Sequence, residues 1–252
     1  MMDEEAMYRA LVARDPRFDG LFFVGIRSTG VYCRSICPAR TAGRGQCVFF
    51  EHAAQAASEG FRPCLRCRPE LAPGTTGTSD RVDALVAEIR AGAMNGRRPF
   101  ADLARTHGLS ERQGRRLVRE TTGVTPVQLS QTARLLLAKQ LLTETSLPII
   151  RIASASGYSS LRRFNEAFVA SCGVSPTRFR GSGRAPRSDA LTLRLDHRPP
   201  YDWPAMRGFL EARLIRGVDV LEDDGYRRTI RIGDHVGALH VRSVEGRFMV
   251  QV

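Results

Sequence analysis

Between Arg81 and Arg180 the apolar residues recur at the spacing of helices with one buried face, and Gly108-Leu109-Ser110 and Gly157-Tyr158-Ser159 interrupt them, so several short helices are predicted. Phe100–Ser110 followed by Glu111–Glu120 reads as a helix, a glycine-containing turn and an arginine-rich helix opened by a Ser110 cap, a helix-turn-helix unit. Pro148–Tyr158 followed by Ser159–Phe168 repeats the pattern, with a long helix over Val127–Leu142 between the two. Leu103, Leu109, Leu117, Ile152, Phe164 and Phe168 fall on the inner faces and are expected in the core.

The patterning differs on either side. The first 70 residues carry turn-like glycines, the aromatic pairs Phe22-Phe23 and Phe49-Phe50 and one helical stretch near His52–Gly60, which predicts a small mixed domain. From Leu191 onward, Leu191–Leu195 alternates like a strand, Trp203–Arg213 reads as a helix, and Tyr226–Ile232 and Leu239–Val244 read as strands. Breaker-rich stretches at Pro73–Ser79 and Gly181–Ser188 look like linkers. The expectation is a multidomain α+β chain with units at 1–74, 80–181 and 190–252: a small mixed domain, an all-α double helix-turn-helix domain and part of an α/β domain.

Charge sharpens this division. The formal net charge is +12, and nine of those charges lie between residues 81 and 180, which makes the helical unit the candidate for a polyanionic partner. Nearly all of the basic residues are arginine, Lys139 being the only lysine. No apolar run is long enough to span a bilayer, and the chain opens on Asp3, Glu4 and Glu5 rather than a basic leader, so a cytoplasmic protein without membrane contact is expected. Disulfides are rare in that compartment, and six cysteines, five of them between Cys33 and Cys67, read as metal ligands or reactive thiols.

Cys33-x3-Cys37 and Cys64-x2-Cys67, with 26 residues between the pairs, can close around one tetrahedral zinc ion. Spacing alone favours a structural site. A metal-bound thiolate is also a nucleophile toward an alkyl carbon, so a ligand can double as a reagent. Cys47, beside Val48-Phe49-Phe50, reads as a packed residue, and lone Cys172 as a buried one. Arg34, Arg40, Arg62, Arg66 and Arg68 flank the ligands and could hold phosphates or form an ordinary solvated surface.

Phe22–Arg40, including Gly30-Val31-Tyr32-Cys33-Arg34-Ser35-Ile36-Cys37-Pro38, together with Gly60-Phe61-Arg62-Pro63-Cys64-Leu65-Arg66-Cys67, resembles the N-terminal domain of the Ada adaptive-response family. That resemblance implies zinc at Cys33, Cys37, Cys64 and Cys67, with Cys33 accepting a methyl group from a methyl phosphotriester in the DNA backbone. The acceptor turns over once, and methylation converts the protein into a transcription activator. Gly157-Tyr158, Phe164-Asn165, Phe168 and Gly173–Arg180 resemble the AraC-type DNA-binding family. By motif position the base-reading side chains are then Arg112, Arg115 and Arg116 in the first unit and Arg162, Arg163 and Asn165 in the second, side chains suited to guanine and adenine edges. Double-stranded DNA is the implied partner, with RNA polymerase as the partner of an activator, and two reading helices in one chain are consistent with a monomer.

Leu195–Trp203, Met206–Arg213 and Gly225–Ile230 resemble the start of the AlkA family of alkyl-adenine DNA glycosylases over about 60 residues. Base excision is not expected from this chain, which carries no hairpin or catalytic aspartate of that family, and Asp196, Asp202, Asp223 and Asp224 read as exposed loop carboxylates. Two other readings stay open: a zinc-stabilised AraC-type transcription factor without methyl transfer, and a truncated glycosylase fusion.

Overall fold

A computed structural model describes residues 2–73, 81–95, 98–181 and 191–252. Beyond Pro73 and Gly181, the expected linkers lie outside the described residues.

The first domain opens with α1 (Glu4–Ala13) and folds around β1 (Phe23–Ile26), β2 (Val31–Arg34), β3 (Cys47–Phe50) and β4 (Arg62–Pro63), in the order β3-β1-β2-β4. β1 pairs antiparallel with β2 and β3, and β4 joins parallel to β2. Gly25 has no side chain because Phe50 and Phe61 meet over it: a Cβ there would lie 2.9 Å from both rings, whose centroids are 5.6 Å apart. Gly30, at φ +63°, closes the β1–β2 turn. The helix expected near His52–Gly60 is α2 (Ala53–Ser58), which buries Ala54 and Ala56.

In the second domain, α3 (Arg81–Arg90), α4 (Phe100–Thr106) and α5 (Glu111–Thr122) form the first helix-turn-helix unit. The second contains α7 (Ile149–Ala155), α8 (Leu161–Cys172) and α9 (Pro176–Gly181). The expected long helix joins them as α6 (Pro126–Glu144) and serves both cores: Leu129 packs into the first, and Leu135, Ala138, Leu141 and Leu142 into the second. Ser110 caps α5 as expected, accepting the Gln113 N–H in a reciprocal box. Ser160, one position later than the sequence pattern suggests, caps α8.

The two units repeat closely. Gly114, Val118 and Thr122 of α5 are buried, as are Phe164, Phe168 and Cys172 at the corresponding places in α8, and the residues between them match in exposure except that Thr121 is exposed and Ser171 half-buried. Each helix then ends on a left-handed glycine, Gly123 or Gly173, in the matching strings Gly123-Val124-Thr125-Pro126 and Gly173-Val174-Ser175-Pro176. The predicted core residues Leu103, Ile152, Phe164 and Phe168 are fully buried, and Leu109 and Leu117 pack partly buried against the first core.

The third domain is an antiparallel sheet of β5 (Thr192–Leu195), β6 (Asp219–Glu222), β7 (Gly225–Ile232), β8 (His235–Val244) and β9 (Arg247–Gln251), in the order β5-β9-β8-β7-β6, with α10 (Trp203–Glu211) against β6. The expected strands and helix are β5, β7, β8 and α10; β8 starts earlier than expected, and β6 and β9 complete the sheet. Leu191 and Leu193 pack on the core of the second helix-turn-helix unit, so edge strand β5 docks the sheet onto the helical domain. Among the described residues no helix is long and apolar enough to cross a membrane.

Candidate metal centre and nucleic-acid interface

Strand pairing and two tight turns gather the four expected ligands. Cys33 sits on β2 opposite Val24, and Cys37 follows one turn later, its N–H bonded to the Arg34 carbonyl at 3.2 Å. Cys64 leaves β4 with its N–H on the Tyr32 carbonyl at 2.9 Å, which brings the Cys64–Cys67 loop against β2. The four Sγ atoms lie within 4.8 Å of one another, all in buried side chains, among Leu11, Val24, Ile26 and Val31. Four sulfurs in a closed, mostly apolar pocket are a donor set for zinc. Cys47, as expected, packs into the same cluster without joining the ligands; its sulfur faces the Ala42 and Gly43 carbonyls.

Hydrogen bonds among the sulfurs divide their proton affinities. A bond from Cys37 is the chief reason Cys33 is raised above the ordinary thiol value. Bonds with Cys33 bring Cys37 down to about 7 and Cys64 well below its usual range. Cys67 is lowered by Cys33 but raised more by Cys37 and Cys64. A central divalent cation would favour the thiolate form of all four.

The four sulfurs are not equivalent toward the backbone. The Arg34 N–H donates to Cys67 Sγ at 3.4 Å. Cys33 Sγ lies within 4.8 Å of the other three sulfurs.

The flanking arginines separate into two groups. Arg40, Arg62 and Arg66 are exposed. The expectation that Arg34 meets DNA does not hold: it is 2% exposed, its guanidinium paired with Asp19 and with Asp196 Oδ2 at 2.9 Å, and a side chain so enclosed cannot reach a phosphate. Arg68 is tied to Glu70 at 3.2 Å and Glu144 at 2.8 Å. Asp196 is thereby corrected too, from an exposed loop carboxylate to one enclosed between Arg34 and Arg194. Asp202 caps α10, accepting the Ala205 N–H at 2.8 Å.

Arg112, Arg115 and Arg116 on α5, and Arg162, Arg163 and Asn165 on α8, are all exposed, on the sides of their helices away from the buried Val118 and Phe168. Arg115 pairs with Glu111 at 2.7 Å, Arg116 with Glu120 at 3.8 Å and Arg162 with Glu166 at 2.8 Å. Exposed pairs one helical turn apart are weak and readily exchanged for phosphate or a base edge. His107, expected to cap or pack, ends α4 and faces Glu88 at 3.2 Å. A second cluster, Glu222, Asp224 and His240, lies in the third domain, but Arg227 and Arg242 already balance its carboxylates.

Sequence reasoning missed Asp19, Glu70, Glu144 and Lys139 as parts of the centre's surroundings. The one available signal was a solitary lysine inside an apolar helix, Leu135-Leu136-Leu137-Ala138-Lys139.

Comparison with known proteins matches each domain separately. Residues 6–70 match the metal binding domain of Ada, residues 103–182 a helix-turn-helix domain and residues 192–252 the AlkA N-terminal domain. A probable bifunctional transcriptional activator/DNA repair enzyme AlkA from Mycobacterium tuberculosis is 36% identical over 238 residues, 91% of this chain and 48% of that protein. The bifunctional transcriptional activator/DNA repair enzyme Ada of Escherichia coli is 34% identical over 133 residues, covering 53% of this chain and 37% of that one. The chain thus spans about half the length, or less, of these relatives. The crystal structure of a methylated N-ADA/DNA complex aligns at 31% identity over 53% of this chain and 98% of that one, with a TM-score of 0.27.

Proposed function

We propose that this chain, whose residues 6–70, 103–182 and 192–252 match the metal binding domain of Ada, a helix-turn-helix domain and the AlkA N-terminal domain, senses DNA alkylation by taking a methyl group onto zinc-bound Cys33 and then activates transcription. The observation that carries this reading is the closed, buried set of four cysteines, Cys33, Cys37, Cys64 and Cys67, whose sulfurs lie within 4.8 Å of one another.

Cys33, Cys37, Cys64 and Cys67 would hold zinc, which would supply the thiolate form at neutral pH. The Cys33 sulfur attacks the methyl carbon of a phosphotriester; the S–C bond forms as the C–O bond breaks, and the electron pair leaves on the phosphate oxygen, restoring a phosphodiester anion. The product is a thioether with no easy leaving path, so each chain reacts once. A divalent ion with four thiolates carries two net negative charges, and one after methylation. Losing a negative charge on a surface that faces phosphates strengthens DNA binding. Arg40, Arg62 and Arg66 are the exposed arginines available to grip the backbone beside the centre, and Arg112, Arg115, Arg116, Arg162, Arg163 and Asn165 those available to read bases. The reading places the protein in the cytoplasm as a monomer that meets RNA polymerase at a promoter, and assigns no base excision to residues 192–252.

Intact-mass spectrometry with peptide mapping, after mixing the zinc-loaded protein with DNA bearing methyl phosphotriesters, tests it. The expected result is one added methyl on Cys33, absent in Cys33→Ala. An unmodified Cys33 with zinc retained would leave only a zinc-stabilised DNA-binding protein.

A further inference from the structure

Behind the metal centre lies a group of buried charges that the proposed reaction does not use. Lys139, fully buried on α6, donates through Nζ to the Cys64 carbonyl at 3.5 Å and to Glu70 Oε2 at 2.7 Å. Arg34 donates to the Cys67 carbonyl at 3.2 Å. Two buried cations thus hold the two ends of the loop that carries half of the ligand set.

Their counter-charges form a chain. Glu70 is shared between Lys139 and Arg68, and Arg68 continues to Glu144 of α6. Glu144 accepts the Arg194 N–H at 3.1 Å, and the Arg194 side chain holds Asp196, which with Asp19 holds Arg34. Four cations and four carboxylates alternate through all three domains. Well-packed apolar side chains would join domains at least as stably as buried ion pairs, whose desolvation offsets much of their attraction. Stability therefore gives no reason for charges here. Their placement does, because both cations that touch the ligand loop face a centre with excess negative charge.

We propose that Lys139 and Arg34 are positioning residues for the metal centre. They fix the Cys64–Cys67 loop, balance part of the centre's negative charge, and fasten it to α6, the helix that joins the two helix-turn-helix units. The proposal deepens the reading of Cys33 as methyl acceptor and rests on it for its consequence: loss of one negative charge at Cys33 weakens the hold of both cations on the loop, and the first domain loosens on α6. The third domain takes part directly, since Asp196 of the segment after β5 completes the Arg34 site.

The test uses the full chain with the double variant Lys139→Met, Glu70→Gln, which removes one ion pair without leaving either charge buried alone. Arg9→Gln, at an exposed position on α1, serves as control. Two measurements are compared: the cadmium-113 resonance of the cadmium-loaded protein, which reads ligand geometry and charge without any reaction, and the rate of methyl transfer at saturating DNA. The double variant is expected to shift the resonance and speed amide exchange at residues 70 and 71 and around residue 139 of α6. It should also slow transfer roughly 10- to 100-fold, the scale of a small misplacement of a reacting group. Arg9→Gln should change none of these. An unaltered resonance and exchange pattern in the double variant would overturn the proposal. Should wild-type Cys33 take no methyl at all, the acceptor reading fails, while the resonance and exchange data still decide whether these cations position the centre.

Discussion

At the scale of single residues, Arg34 shows how far a side chain's role can lie from its sequence neighbourhood. It follows Cys33 directly and reads as a phosphate contact. Its partners Asp19 and Asp196 stand 15 and 162 positions away, beyond any local pattern, and draw it inward. Burial opposes the charge of Arg34, and those two carboxylates outweigh it. Arg34→Met should leave both carboxylates without their buried partner and cost about 3–5 kcal/mol, measured by chemical denaturation of the zinc-loaded protein. A loss within about 1 kcal/mol, the usual limit for an exposed pair, would mean that the guanidinium is solvated after all. The ligand cysteines were legible because thiolate chemistry and loop geometry restrict their spacing. The bond that the Arg34 N–H gives to Cys67 Sγ depends on a backbone direction that no spacing reveals.

At the scale of elements, caps and periodicity made the helical domain the most readable part. Ser110, the glycine turns and the apolar stripes fix α4, α5, α7 and α8 locally. β6 and β9 escaped detection because Asp219–Glu222 and Arg247–Gln251 are short and become strands by pairing with β7 and β8. Contacts between elements escaped as well, and His52 is an example. It caps α2, yet its ring reaches the helical domain, with Nε2 facing the Thr121 carbonyl at 3.2 Å and Nδ1 accepting from Arg90 at 2.8 Å. Burial first, and the Arg90 charge second, hold His52 below the usual histidine range, so the folded protein keeps it neutral. The unfolded chain protonates near the ordinary value of about 6.5. This contact therefore contributes fully above that pH, and its contribution falls as pH drops below it. Between about pH 7.5 and 5.5 the wild-type denaturation midpoint should fall more steeply than that of His52→Gln, with zinc content followed in parallel. Parallel slopes would remove His52 as the source.

At the scale of the whole molecule, the metal centre joins domains as well as holding its own loops. The Cys64 and Cys67 carbonyls are acceptors for Lys139 and Arg34, so loss of zinc frees the loop on which both cations rest. Chelation is expected to unfold the ligand loops of the first domain and speed amide exchange in α6, because a four-cysteine zinc site contributes folding energy directly. Readdition of zinc should restore both, and exchange in α6 that ignores the metal would show that the domains are independent. The order of helices and strands along the chain could be read in outline from periodicity and turn residues. The docking of edge strand β5 on the helical core could not, because Leu191 and Leu193 alternate as they would in any half-buried strand.

The matching exposure of α5 and α8 has a practical consequence. Positions 112 and 116 on one helix and 162, 163 and 165 on the other are exposed, Arg115 lies over the ring of buried Phe100 at 5.2 Å, and Gly114, Val118, Thr122, Phe164, Phe168 and Cys172 face the cores. On the reading proposed above, damage detection by the buried cysteines and base reading by the outer faces of two helices are separately editable. A library restricted to those five exposed positions would then send the same sensor to a different set of genes without altering the lesion it answers to.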